Sequence, residues 1–189
     1  MYWGLEYMIA YKAFEPGLIC RGYQFVMGLN ITEKANCKSN GFHSAENPLD
    51  CLSYYPNMNS AEYYLVDAGG DINEDGDDSK IASTELTIIK KLTREEFLLL
   101  GLAYMVDHPL AKCASHVEKN CAKARNGYAV VRGFDPIAQG DLGDILAFAK
   151  EDPVTQKVIQ IALSQVDGKK VLPCVWYGAD LIERTERKF

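Results

Sequence analysis

The sequence predicts an α+β fold, in which a β-rich N-terminal half packs with a helix-rich C-terminal half. Residues 5–14 and 18–26 are rich in aromatic and aliphatic side chains and flank the turn tripeptide at 15–17, a pattern typical of two successive strands. In the second half, apolar side chains recur at spacings of three and four, which is typical of helices.

The change between these patterns falls near residues 90–93. We therefore expect a β-rich domain over residues 1–91 and a helical α+β portion over residues 92–189, packed on each other as one globular unit. A chain of 189 residues is long enough for one medium domain or two small ones.

The middle of the first half predicts one short helix and two more strands. Asn47 is placed to cap a helix that begins at Pro48, because the missing amide proton of proline costs nothing at that position. Residues 62–68 and 80–90 are predicted as strands around an Asp/Gly-rich connection, and residues 30–40 as a polar loop.

A capping box formed by Thr93 and Glu96 predicts a helix over residues 94–106. Between Phe97 and Val106 this helix is apolar on nearly every side. It is therefore expected to be central to the fold or to form a partner interface, including one between two copies of the chain.

Three further helices and two strands are predicted beyond this point. The helices cover residues 109–126, a segment capped by Asp141, and a segment that begins at Asp152 and Pro153. Their apolar stripes consist of Leu142, Ile145, Leu146 and Ala149 in the second and of Val154, Val158, Ile161 and Gln165 in the third. The strands are residues 128–132 and an edge strand at 171–177.

Charge and composition exclude several classes of protein. A net charge of -6 argues against direct nucleic-acid binding, which needs a basic surface. The first residues do not resemble a signal peptide, and the longest apolar run is too short to cross a bilayer, so we expect no membrane association. The six scattered cysteines are then expected to be reduced thiols in a cytoplasm.

The acidic loop is the first candidate metal site. Asp71, Asn73, Asp75 and Asp77 match ligand positions of a calcium loop, but Ala82 occupies the position of the closing glutamate. Because glycine and aspartate also suit a solvated turn, a plain connection between strands is favoured over calcium binding.

Other chemistries have weaker support. The soft ligands His108, Cys113, His116 and Cys121 lie close together in the sequence. Cys113, His116 and Cys121 fall in the segment predicted as helix, where buried thiols are favoured over zinc. His43, before the predicted helix at Pro48, is a candidate base or a structural hydrogen-bonding residue. The sequence has no Walker loop, no dinucleotide-binding glycine pattern and no Gly-x-Ser-x-Gly, so we expect no cofactor.

Several motifs occur in a fixed order between residues 8 and 91. They are Tyr11-Lys-Ala-Phe, Cys20-Arg-Gly-Tyr-Gln-Phe, Gly41-Phe-His, Asn47-Pro-Leu-Asp-Cys-Leu-Ser-Tyr-Tyr and Asp77-Asp-Ser-Lys-Ile-Ala-Ser. This order resembles an uncharacterised domain of bacteriophage and prophage proteins. The resemblance implies an accessory protein, acting in the cytoplasm of a host bacterium, that binds a host protein and inhibits a defence complex such as a CRISPR effector.

An enzymatic alternative comes from a second, looser similarity of layout to ADP-ribosyltransferases. In that arrangement Arg21, His43, Tyr54 and Glu85 are the candidate catalytic residues, and residues 83–85 are the nearest match to the Ser-Thr-Ser element. The acidic charge, the many aromatic residues and the apolar helix favour a non-enzymatic inhibitor.

Overall fold

The computed structural model describes residues 8–35, 40–74 and 79–185. Within these residues the chain forms thirteen strands, one α-helix and one 3-10 helix. It divides into two compact units, which we call unit 1 (residues 8–56 and 60–97) and unit 2 (residues 57–59 and 98–185).

Unit 1 contains seven strands and the 3-10 helix. They are β1 (Met8–Phe14), β2 (Ile19–Cys20), β3 (Tyr23–Gln24), β4 (Gly28–Ile31), β5 (Phe42–Ala45), the 3-10 helix (Pro48–Ser53), β6 (Glu62–Glu74) and β7 (Lys80–Leu92). The predicted strands at 62–68 and 80–90 are confirmed as β6 and β7, whereas the last two residues of β4, Asn30 and Ile31, lie in the segment predicted as a loop.

Four of these strands close into a ring of antiparallel ladders. β1 pairs with β6, β6 with β7, β7 with β5, and β5 again with β1. β4 extends the ring by pairing with β7. The interior holds one apolar cluster with an aromatic centre in which Phe14, Phe25 and Phe42 contact one another through Phe25 at ring distances of 5.1 and 5.0 Å.

The segment predicted as one strand over residues 18–26 is instead a hairpin. β2 and β3 pair across the two-residue turn Arg21–Gly22, and both turn residues have positive φ, at 50° and 77°. Such turns match the twist of the flanking strands, which explains why glycine occupies one of the positions.

The caps predicted at Asn47 and Thr93 are confirmed. Asn47 Oδ1 accepts a hydrogen bond from Leu49 N at 3.1 Å, and Pro48 is the first residue of the 3-10 helix. Glu96 accepts from Thr93 N at 2.9 Å while Thr93 Oγ1 accepts from Glu96 N at 3.1 Å, and the helix α1 (Arg94–Asp107) follows. The boundary between the two units falls within α1.

Unit 2 is built on a sheet of six strands. They are β8 (Val117–Lys123), β9 (Tyr128–Gln139), β10 (Ile145–Glu151), β11 (Val158–Gln165), β12 (Trp176–Gly178) and β13 (Glu183–Arg184). The order is β11-β10-β9-β12-β13, and β8 also pairs with β9. The long strand β9 runs parallel to β8 and to β10.

The predicted α+β fold with a helix-rich C-terminal half is therefore wrong, because the described chain is mostly β-strand and the described part of unit 2 after α1 contains no helix. Residues 109–126 contain β8, and the helices predicted after Asp141 and Asp152 are β10 and β11. The strand predicted at 128–132 is confirmed as the start of β9. Of the edge strand predicted at 171–177, Trp176 and Tyr177 lie in β12, which is not at an edge because it pairs with both β9 and β13.

The five cysteines in the described part of the chain are free thiols, and Cys37 lies outside it. Among the described residues, neither helix has the length and apolar character needed to cross a lipid bilayer.

Candidate functional site

A pocket of about 290 Å³ opens in unit 1 beside the place where β1 meets β5. Both strands, the β2–β3 turn, the 3-10 helix and the start of β7 contribute to its lining. The lining residues are Tyr11, Lys12, Ala13, Cys20, Arg21, His43, Ser44, Ala45, Asp50, Cys51, Tyr54, Tyr55 and Lys80.

The pocket lies at the shortest ladder of the ring. β1 and β5 share one residue pair, Tyr11 with Ala45, whereas β1 and β6 pair along the whole of β1. Because the backbones are joined so briefly here, side chains from the 3-10 helix and the β2–β3 turn complete the wall.

Lys12 is the most unusual residue of the lining. It lies between Ala10 and Phe14 on β1, in a run that alternates toward the apolar interior, and only 6% of it is exposed. Its Nζ donates a hydrogen bond to His43 O at 2.6 Å and lies 5.3 and 5.2 Å from the ring centres of Phe14 and Phe25. Rings hold a cation through their negative faces, but they supply no counter-charge.

Burial therefore lowers the pKa of the Lys12 ammonium, an effect that nearby Cys20 and Cys51 partly oppose and Arg21 reinforces. The low polarity of the surroundings favours the neutral amine. A larger share of Lys12 is consequently unprotonated near neutral pH than for an exposed lysine.

The carboxylate of the pocket is held by neighbouring polar groups. Asp50 Oδ2 accepts hydrogen bonds from Ser79 Oγ at 2.6 Å and from Ser79 N at 3.3 Å. Its other oxygen lies 3.4 Å from Asn47 Nδ2. These bonds fix Asp50 at the first turn of the 3-10 helix and tie that turn to the start of β7.

Thiol and phenol groups form a second side of the lining. Tyr55 donates a hydrogen bond to Cys20 Sγ at 3.3 Å, and Cys51 donates to Tyr11 O at 3.5 Å. Burial raises the pKa of the Cys51 thiol to about 12 and also raises the pKa of the Tyr55 hydroxyl. Both groups therefore stay protonated at neutral pH, and Cys51 is a poor nucleophile.

Three further polar groups face the pocket. Lys80 Nζ lies 3.5 Å from the Tyr54 hydroxyl, and Arg21 projects from the β2–β3 turn. Ser44 Oγ is buried and makes no hydrogen bond within the described part of the chain. An unsatisfied buried hydroxyl is costly, so it is a natural position for a ligand contact.

Sequence reasoning had singled out part of this site. Arg21, His43 and Tyr54 lie together in the lining, but Glu85 does not. Glu85 is on β7, where it pairs with Ile31 of β4 and Gly69 of β6. The four residues of the ADP-ribosyltransferase-like arrangement are therefore not all brought to this pocket.

Residues 8–100 match the family described as Domain of unknown function (DUF7666). The whole pocket lies within the match. No curated protein and no solved structure gives a significant match to the chain. The family description gives neither an activity nor a source, so the phage origin and the likeness to ADP-ribosyltransferases stay predictions.

The candidate metal ligands are placed differently from the pocket. Asp71 and Asn73 lie on β6, and Asp71 N donates to Thr84 Oγ1 at 2.8 Å, while Asp75 and Asp77 lie outside the described residues. Within residues 8–35, 40–74 and 79–185, no three His, Cys, Asp or Glu side chains are grouped closely enough to hold a metal ion.

The soft ligands considered for zinc have other neighbours. The ring of His108 stacks on Tyr104 at 4.1 Å, and His116 Nδ1 lies 3.1 Å from the Tyr128 hydroxyl. Cys113 accepts a hydrogen bond from Arg132 at 3.5 Å. The predicted helix for this segment is wrong, since Cys121 lies on β8.

Sequence reasoning missed Lys12, Asp50 and Lys80 as site residues. For Lys12 a signal exists, because a lysine between Ala10 and Phe14 interrupts the apolar face of a strand. For Asp50 and Lys80 the sequence carries none that we recognise, since acidic first turns of helices and lysines at strand ends are common.

Proposed function

We propose that unit 1 binds a small anionic molecule in this pocket. The observation that carries the proposal is the convergence of two cationic side chains, Arg21 and Lys80, and the buried amine of Lys12 on one cavity of about 290 Å³. The one carboxylate among the described lining residues, Asp50, has both its oxygens engaged by neighbouring polar groups.

The rest of the lining suits a ligand that is not a bare ion. Tyrosine rings offer apolar area with a polar edge, and the hydroxyl of Ser44 is free for a hydrogen bond. Pockets with an apolar wall and a few convergent polar groups are typical of sites for small organic ligands. A carboxylate or phosphate group on the ligand would face the cations.

Calorimetric titration of the full chain tests this proposal with lactate, inorganic phosphate, AMP and NAD. Replacing Arg21 or Lys80 with Gln is expected to weaken binding by about 1 kcal/mol each, roughly fivefold in Kd, since both are near solvent. Binding should also weaken as salt is added. Lys34→Gln, an exposed lysine of unit 1 outside the lining, is the matched control.

Absence of binding by every anion, or equal loss with Lys34→Gln, would refute the anion pocket. NAD is included because the ADP-ribosyltransferase alternative requires it. That alternative predicts transfer of label from NAD to a host target, dependent on His43 and Glu85.

A second candidate function is binding to a host protein, as the resemblance to phage domains implies. It is favoured by β4, which within the described chain pairs with β7 alone and carries exposed apolar side chains. Leu29 and Ile31 on this strand, and Val26 and Met27 before it, are each more than half exposed. An exposed apolar edge strand is a template for a partner strand.

Affinity capture from a bacterial lysate tests the second candidate. A stoichiometric host complex should be lost when Leu29 and Ile31 are both replaced by Lys, and retained when the exposed Ile159 of unit 2 is replaced in the same way. Equal capture by all three proteins would refute a role for this edge. Inhibition of a defence complex, and a homo-oligomer through α1, stay predictions.

A further inference from the structure

The position of Lys12 points to a reactive role that simple anion binding does not require. An anion-binding lysine usually lies at the surface, where its ammonium is stabilised by water until the ligand arrives. Lys12 is instead 6% exposed and lies inside the ring of strands formed by β1, β6, β7 and β5, with the aromatic side chains of Phe14 and Phe25 near its Nζ. Its Nζ donates a hydrogen bond to a neutral acceptor, His43 O.

No carboxylate of the described residues forms an ion pair with Lys12. Asp50 shares the pocket, but its carboxylate oxygens are hydrogen-bonded to Ser79 and Asn47. A buried amine without a counter-charge loses its proton easily, which is how proteins activate lysine as a nucleophile. The direction of the Lys12 pKa, lowered mainly by burial, agrees with this.

Of the two thiols in the lining, that of Cys51 is disfavoured as a nucleophile. Burial raises the pKa of Cys51 to about 12, so its reactive thiolate is scarce at neutral pH. Burial thus acts in opposite directions on the two groups: it favours the neutral amine, which is the reactive form of lysine, and the neutral thiol, which is the unreactive form of cysteine.

We propose that Lys12 forms a Schiff base with a small carbonyl compound that also carries a carboxylate or phosphate group. This inference rests on the proposed anion-binding function of the pocket and specifies its ligand class. Arg21 and Lys80 hold the anionic group, and the carbonyl carbon then lies within the cavity that Lys12 lines.

The reaction needs no further reactant. The Nζ lone pair attacks the carbonyl carbon, and the carbonyl oxygen takes up a proton to give a carbinolamine. The nitrogen then loses its remaining proton as the hydroxyl leaves as water, and a carbon–nitrogen double bond replaces the carbon–oxygen one. The low polarity around Lys12 favours this step because it keeps the amine neutral before attack.

Reductive trapping tests the inference on the full chain. The protein is incubated with pyruvate or with glycolaldehyde phosphate, reduced with sodium borohydride, and mapped by peptide mass spectrometry. We expect the reduced adduct to form on Lys12 in preference to the exposed Lys34, since burial increases the neutral, reactive fraction of the Lys12 amine. The two probes distinguish a carboxylate from a phosphate ligand.

Variants and a neutral probe separate positioning from reactivity. Lys12→Arg should abolish the adduct, and Lys34→Arg should leave it unchanged. Arg21→Gln and Lys80→Gln should reduce trapping of pyruvate about fivefold but leave trapping of the uncharged propanal unaltered. These last variants are at more accessible positions, so they keep the test informative if Lys12→Arg fails to fold.

Adducts spread evenly over the lysines, or an adduct that survives Lys12→Arg, would overturn the inference. The unreactive anions separate this failure from that of the proposed function. If lactate or phosphate binds in an Arg21-dependent manner and no Lys12 adduct forms, the pocket binds anions and the Schiff base is wrong. If neither binding nor trapping occurs, both are wrong.

Discussion

Replacing Glu151 with Gln is expected to destabilise unit 2 by about 3–5 kcal/mol, the usual cost of leaving one partner of a buried ion pair without its counter-charge. Arg132 on β9 is 7% exposed, and its Nε lies 2.5 Å from Glu151 Oε1 on β10. Its other N–H groups donate to Cys113 Sγ at 3.5 Å, Pro109 O at 2.7 Å and Gln156 O at 3.3 Å, none of which is a carboxylate. Among the described residues, the carboxylate of Glu151 is therefore the one that forms an ion pair with the Arg132 guanidinium.

The double variant Arg132→Met with Glu151→Met tests whether the loss of stability comes from leaving the Arg132 charge buried without a partner. It is expected to be more stable than Glu151→Gln alone, because no charge is left buried, although the carbonyls of Pro109 and Gln156 lose their donor. With the two single Met variants, a mutant cycle should yield a coupling of about 2–3 kcal/mol.

Urea unfolding followed by tryptophan fluorescence, to which Trp176 in the buried part of unit 2 contributes, measures these changes. With an m-value of roughly 2 kcal/mol per molar urea, the midpoint should fall by about 2 M for Glu151→Gln. Lys90→Met is the control: its Nζ lies 2.6 Å from Glu96 Oε1, but the side chain is 57% exposed, so the loss should stay below about 1 kcal/mol. A shift for Glu151→Gln no larger than that of the control would refute the reasoning.

Three further variants are predicted from unit 1. Because burial lowers the Lys12 pKa below its ordinary 10.5, the unfolded chain binds more protons between these two values, and the free energy of unfolding should rise with pH there. Lys12→Met should remove that rise; parallel wild-type and variant curves in urea titrations from neutral pH to 10.5 would contradict it. Gly41→Ala should lower the free energy of unfolding by about 2 kcal/mol or more, since φ is +89° and the new Cβ would lie 2.8 Å from Ala35 Cα. The control Gly17→Ala, where φ is +85° but the space around the new Cβ is open, should lower it by about 1 kcal/mol. Equal losses for the two variants would show that the contact with Ala35 is unimportant. Asn47→Ala should cost about 1 kcal/mol in the same assay through loss of the cap, while no change would mean that the cap is replaced by solvent.

The first half of the fold could be predicted because its signals are local. The strands β6 and β7 are bounded by turn residues, and the caps at Asn47 and Thr93 depend on side chains within three residues of the helix start. The β2–β3 hairpin was missed because alternation alone cannot show that the chain reverses at Arg21–Gly22.

The second half was predicted wrongly because β10, an inner strand of its sheet, begins with an uninterrupted run of apolar residues. Residues 145–149 of β10 are all buried, since the strand lies between β9 and β11 and both its faces are covered. A run of this kind contains helical spacings by chance, and its periodicity cannot distinguish a buried strand from a helix. The β-branched residues at the start of β11, Val158 and Ile159, were the available contrary signal.

The pocket could be predicted only in part, since it depends on contacts between distant segments. His43 drew attention by its place between a glycine turn and a helix cap, and it does line the pocket. Lys80 reaches the pocket only because β5 pairs with the first residues of β7, a register that the sequence does not encode locally.

The pairing of β1 with β5 through a single residue pair is the position at which the ring of four strands should open most easily. Ten pairs join β6 to β7 and seven join β1 to β6, so these ladders resist opening far more strongly than the contact of Tyr11 with Ala45. A ligand can thus reach Lys12 if the pairing of β1 with β5 opens. The β1–β6 and β6–β7 ladders around the aromatic cluster stay intact. Amide protons of β5 that face β1 should exchange with solvent sooner than those of β6.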